Sequence, residues 1–342
     1  MPPTSIKPEG FTQVGEIRHQ PPICEARPNA RYDAAMNARG NRVDWFVFFA
    51  LGFMWGSSYL FIKLAVDDFG TFTLVALRLL VGAALLWTVV RVARQPLPRE
   101  RRMYGHLLVM SIINITIPFL LITWAEQSVE SSLAAILTSP VPLFAIVLSS
   151  IFLVDEPMRV NGVVGLVVGF IGVVIITSRG LTGTGSSVAG EIALLGAAFS
   201  YACGAVYSRR NVRGLTPMVP AVFQVTFACI ITGVIALLFE HPWTAQPDGE
   251  AIFSILWLGI LGSGLAYLAV FRLFAHWGAT RTTLVAYLIP VVGIVLGYLV
   301  LQEPVDARIV FGTALVIAGI GLVNSRFGRR RVFGRVPPIE AA

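Results

Sequence analysis

Residues 156–172 read EPMRVNGVVGLVVGFIG, and residues 303–319 read EPVDARIVFGTALVIAG. Glu156-Pro157, Gly165 and Gly172 return 147 positions on (303 − 156) as Glu303-Pro304, Gly312 and Gly319, without a gap. Five long apolar runs fit into one such period. Because an odd number of membrane crossings reverses the chain, the second copy lies upside down relative to the first. The pattern predicts an all-α integral membrane protein in which ten transmembrane helices form two inverted five-helix repeats.

Composition supports the membrane reading. The 342 residues are 56% hydrophobic and 13% charged, with a mean hydropathy of +0.75, more apolar surface than a water-soluble chain can hide. A span needs about 20 predominantly apolar residues. Ten segments qualify: Asp44 to Ala65, Phe69 to Val90, Gly105 to Trp124, Ser132 to Val154, Val160 to Thr177, Gly190 to Ser208, Pro217 to Phe239, Ala251 to Leu273, Thr282 to Leu301 and Ile309 to Asn324. They are continuous apolar runs rather than short alternating ones, which favours helices over a membrane β-barrel.

The net charge of +7 is not a nucleic-acid signal, because its placement follows the membrane. Basic residues gather before the first span, in the second and sixth loops (Arg91 to Arg102 and Arg209 to Arg213) and in the tail from Arg326 to Arg335. The alternate loops hold Asp67, Asp68, Glu126, Glu130, Glu240, Asp248 and Glu250, with Arg179 and Arg308 as exceptions. This asymmetry predicts a multi-pass protein of the cell (inner) membrane with both termini cytoplasmic. The expected organisation is a disordered cytosolic tail (1–43), a first repeat (44–178), a Gly-rich linker (179–189), a second repeat (190–325) and a basic cytosolic tail (326–342). Cys24, Cys203 and Cys229 have no spacing suited to disulfides or a metal site. No apolar segment precedes residue 44, which argues against a cleaved signal peptide.

Trp55-Gly56-Ser57-Ser58 followed by Lys63, Arg78 in the second span, Pro-containing fourth and ninth spans running into Glu-Pro, and Gly-rich fifth and tenth spans resemble the EamA family of the drug/metabolite transporter superfamily. The resemblance covers about Asp44 to Asn324. It implies spans one to four and six to nine around a central cavity, with five and ten bracing the outside. It also implies movement of small organic metabolites such as amino acids, commonly outward.

Candidate residues follow from the cost of polar groups in hydrocarbon. Arg78 is the strongest, since an intramembrane charge must face a partner or a wet cavity; it would attract a substrate carboxylate or bond the carbonyls of a broken helix. Trp55, Tyr59 and Lys63 share one helical face at i, i+4, i+8. The two aromatic residues line the pathway in this reading, whereas Lys63 either gates it or snorkels outward near Asp67 and Asp68. Asn114, Tyr201, Gln224, Tyr267 and Tyr287 complete the substrate-binding set, each also able to serve as an interhelical hydrogen-bonding group. Pro142 and Pro290, approximately duplicated by the repeat, are candidate hinges. Glu156 and Glu303 are read as caps of the helices that follow them. With no deep carboxylate in view, facilitated diffusion or exchange is preferred to proton antiport.

No phosphate-binding loop, His-Glu-x-x-His or Gly-x-Ser-x-Gly pattern is present. The expectation is a non-enzymatic secondary transporter, without cofactor or metal, whose partners are a small-molecule substrate and the lipid bilayer, with no nucleic acid. A homodimer is compatible with it. The competing classes are a membrane-embedded enzyme and a non-transporting sensor or scaffold.

Overall fold

The structure, a computed structural model, describes residues 42–153, 158–181, 187–212, 218–325 and 331–333. Among them, ten helices are long and apolar enough to cross a membrane. They are α1 (Arg42–Ala65), α2 (Thr71–Val92), α3 (Arg101–Ala125), α4 (Ser131–Phe152), α5 (Val160–Ser178), α6 (Val188–Asn211), α7 (Met218–Phe239), α8 (Gly249–Gly278), α9 (Thr283–Leu301) and α10 (Ala307–Asn324). Helix is the form that satisfies every backbone polar group within one crossing. Large apolar side chains such as Phe46, Val174, Leu237 and Phe311 remain on the outside, where lipid replaces water as solvent.

The helices pack in a two-repeat arrangement. α2 lies on α7, α4 on α9 and α5 on α10; α1 on α8 and α9 has its counterpart in α6 on α3 and α4. The duplicated glycines explain the closest of these contacts. A Cβ at Gly165 would stand 2.5 Å from the Gly319 carbonyl oxygen, and one at Gly172 would stand 2.6 Å from that of Gly312. Pairing 165 with 319 and 172 with 312 makes α5 and α10 antiparallel. Without lipid-phase hydrophobic attraction between helices, such close backbone approach supplies the dispersion that holds them.

The helix breaks are also duplicated. α3 contains a π-helical stretch at Ile112–Thr116 and α8 one at Leu258–Leu265. Pro118 has no N–H for the Asn114 carbonyl, and Ser200 of α6 donates to the Ile113 carbonyl within the loosened stretch, at 2.5 Å. α4 breaks at Ser139–Pro140, between Ser131–Thr138 and Val141–Phe152, and α9 opens as a tighter turn over Thr283–Tyr287. The Ile136 carbonyl, which Pro140 cannot serve, accepts from both the hydroxyl (2.7 Å) and the N–H (3.0 Å) of Ser139.

Several sequence boundaries shift. α1 begins at Arg42, inside the segment assigned to the N-terminal tail, and the fifth helix runs to Leu181, into the assigned linker. Residues 1–41, residues 182–186 of the linker and most of the C-terminal tail lie outside the described residues, as does Glu156. Within the C-terminal tail, β2 (Arg331–Phe333) pairs antiparallel with β1 (Met158–Arg159). Pro142 does not mark the break in α4; it sits in the first turn of the following segment, where a missing N–H costs nothing. Pro290 is buried just beyond the tight opening turn of α9.

Candidate functional site

Two ends of the bundle are tied by charged groups. At one, the Glu303 carboxylate accepts from the backbone N–H groups of Ser131 (2.6 Å) and Ser132 (2.9 Å), capping α4 from the opposite repeat. This corrects the expected cap of the following helix, which is made by Asp306 through the Ile309 N–H. At the same end Glu240 accepts from Phe72 N, Thr73 N and the Thr73 hydroxyl, capping α2. At the other end buried Asp44 pairs with Arg272 and contacts His276 Nδ1, joining α1 to α8.

Between these ends lies Arg78, seven residues into α2 and 4% exposed. Its guanidinium carbon stands 4.4 Å from the centre of the Phe119 ring. Nη2 lies 3.4 Å from where a Gly262 Cβ would be, so the glycine in the π-helical stretch of α8 leaves the room the cation occupies. Nε is sealed and has no hydrogen-bond partner among the described residues. The groups within electrostatic range are Tyr201, Tyr267, Glu126 and Tyr59. Arg78 is thus a deep cation within electrostatic range of phenols from α1, α6 and α8.

Tyr59 exchanges a hydrogen bond with the Thr138 hydroxyl at 2.5 Å, tying α1 to α4 immediately before its break. Trp55, one turn earlier, is half-buried against the cluster formed by Phe48, Ala266 and Val270. Asn114 donates to Gln224 at 3.2 Å, linking the π-helical stretch of α3 to α7, with Gly204 of α6 packed against the Asn114 side chain. That pair satisfies itself, as the interhelical reading allows.

Two expected residues sit elsewhere. Tyr287 accepts from Asn324 of α10 at 3.1 Å, on the bracing helix, and is not among the groups within electrostatic range of Arg78. Lys63 reaches neither Asp67 nor Asp68: it donates to the carbonyls of Glu126 (2.6 Å) and Val129 (3.2 Å), fastening α1 to the α3–α4 corner. An apolar recess of 490 Å³ lined by Phe144, Leu148, Phe170 and Phe199 opens between α4, α5 and α6, but none of the polar candidates borders it.

The structure adds residues that sequence reasoning missed. Phe119, Thr138 and Gly262 touch the site through breaks in helices, and the Gly262-Ser263-Gly264 run was the available signal for the last. In the sequence Glu126 counts among the acidic residues of the loops poor in basic ones. Its side chain is fully buried, and neither carboxylate oxygen has a hydrogen-bond partner among the described residues. Among the described residues no group of His, Cys, Asp and Glu is placed to hold a metal ion.

A model of the EamA-like transporter family matches residues 44–178 and again 188–325. The chain belongs to the EamA-like transporter family. Among its relatives, the uncharacterized transporter YoaV of Bacillus subtilis is 25% identical over 280 residues, covering 82% of this chain and 96% of that protein. The uncharacterized inner membrane transporter YedA of Escherichia coli K12 is 28% identical over 251 residues, 73% of this chain and 80% of its own. A solved structure of 21% identity superposes with a TM-score of 0.60 over 83% of this chain and 96% of that one, a likeness of fold. An EamA membership agrees with a multi-pass membrane protein that carries a small molecule.

Proposed function

We propose that this protein is a secondary transporter that exports small organic metabolites such as amino acids, by alternating access of two inverted repeats around the Arg78 site. The observation that carries this reading is a cation 4% exposed, with no hydrogen-bond partner for Nε among the described residues and three tyrosines within electrostatic range. An intramembrane charge without a protein partner is costly, at least about 2.5 kcal/mol on insertion scales, and such groups mark substrate pathways. A substrate carboxylate supplies the missing partner through charge-assisted hydrogen bonds. The phenols offer hydroxyls and ring faces to the rest of an amphipathic molecule.

Antiparallel contacts support inversion of the repeats: 165 with 319 and 172 with 312 between α5 and α10, 132 with 297 and 135 with 293 between α4 and α9, and 72 with 240 and 87 with 226 between α2 and α7. Rocking one repeat against the other would work on the Glu303 clamp at one end and the Asp44 cluster at the other. Both termini face the cytoplasm in this arrangement, in keeping with the basic loops. A resistance screen in cells overproducing the protein tests the direction: export protects against toxic amino acids and their analogues. Sensitisation across the panel would overturn export, and vesicles that take up no protected-against compound would overturn transport.

A further inference from the structure

The α3–α4 corner holds a second buried charged group that the substrate site does not use. Glu126 ends α3, its own N–H bonded to Ile122 and its carbonyl to Lys63. Its carboxyl oxygens are both sealed and have no hydrogen-bond partner among the described residues, and the same holds for the hydroxyls of Ser131 and Ser132 nearby in sequence. Lys63 spends two of its three N–H donors on carbonyls rather than on this carboxyl. The charged and titratable groups facing it are Lys63 and Tyr59 on α1, Arg78 on α2 and Glu303 after α9. Glu130 belongs to the same corner, and α6 brings buried Glu191, next to Gly190, which packs on Ala125, Ser128 and Val129.

An ionised carboxylate with neither water nor a donor is the arrangement that a low-dielectric interior most disfavours, whereas the neutral acid pays far less. Resting on the transport reading above, we infer that Glu126 is a proton-binding site: it holds a proton while this end of the bundle is closed and releases it when the end opens to water. The lock is visible in the same residues, since Lys63 ties α1 to the corner and Glu303 clamps the α4 N-terminus across the repeats. Protonation then favours the sealed end and deprotonation the open one. One proton is bound as this end seals and released as it opens, so the balance between the two states follows the pH on that side. Burial pushes the Glu126 carboxyl well above the usual carboxylate range, Lys63 pulls it down, Glu303 adds to the rise and Arg78 opposes it.

The test uses purified full-length protein and no solute. A raised folded-state value means that stability is intact at low pH and is lost as pH climbs from the ordinary glutamate range towards the value in the folded protein. Glu126→Gln, isosteric with the neutral acid, should match wild type in Tm at about pH 5 and exceed it increasingly towards about pH 8. A Tm difference that is flat with pH, or that favours wild type more as pH rises, identifies a structural residue or a Lys63 ion pair and overturns the proposal; so does failure of Glu126→Gln to fold. A second arm places Ser132→Cys, fully buried in wild type, in a chain with Cys24, Cys203 and Cys229 replaced by serine. Labelling by a water-soluble maleimide should speed up several-fold between about pH 6 and about pH 8 relative to the same chain carrying Glu126→Gln; equal rates would disprove the link to opening. Failure in these arms leaves solute flux in vesicles untouched, and loss of flux leaves them untouched in turn.

Discussion

Replacing Arg78 by methionine separates a binding cation from a structural strut by the sign of its effect. The substitution keeps a long, flexible side chain that fills irregular space, and it removes a charge whose sealed Nε has no acceptor among the described residues. Relief of the buried charge is worth at least about 2.5 kcal/mol on insertion scales, against which the Phe119 contact, 4.4 Å from the ring centre, is lost at about 0.5 to 2 kcal/mol. The net expectation is a gain of about 1 kcal/mol, read as a higher Tm in detergent. Function should move the other way. Losing a hydrogen-bonded charge partner costs the substrate about 1.5 to 3 kcal/mol, a weakening of about 10- to 100-fold, measured as solute flux in vesicles. A lower Tm with unchanged flux would show that Arg78 holds the bundle together, and the reasoning about an unpaired cation would fail.

Glu303→Ala removes two charge-assisted bonds to the α4 N-terminus and should lower stability by about 3 kcal/mol, with Glu303→Gln in between; an unchanged Tm would refute the cross-repeat clamp. Gly165→Leu must force α5 off the Gly319 carbonyl and should destabilise by about 1 to 3 kcal/mol. Gly105→Ala, with nothing within 4 Å, serves as its control, and equal effects would refute the tight crossing. Tyr59→Phe should weaken stability by about 1 kcal/mol through its lost bond to Thr138, in the same thermal assay. Reporter fusions at both termini should respond from the cytoplasm, and a split response would sink the inverted arrangement.

What could be read from the residues alone were quantities that lipid imposes locally. A crossing needs a certain apolar length wherever it sits, so the ten spans were legible, and the constant offset between Glu156-Pro157 and Glu303-Pro304 exposed the two repeats. Arg78 was legible for the same reason, as a charge inside hydrocarbon needs an explanation irrespective of its neighbours. The partners of polar groups were not legible, because they are set by which helix ends meet. Only packing shows that Glu303 serves α4 rather than α10, that Lys63 grips carbonyls at the corner after α3, and that Tyr287 turns to Asn324. Glu126 illustrates the limit most sharply: it reads as a loop acid, yet its side chain is fully buried at the α3–α4 corner. Burial is a property of several chain segments converging, and no single stretch of sequence carries it.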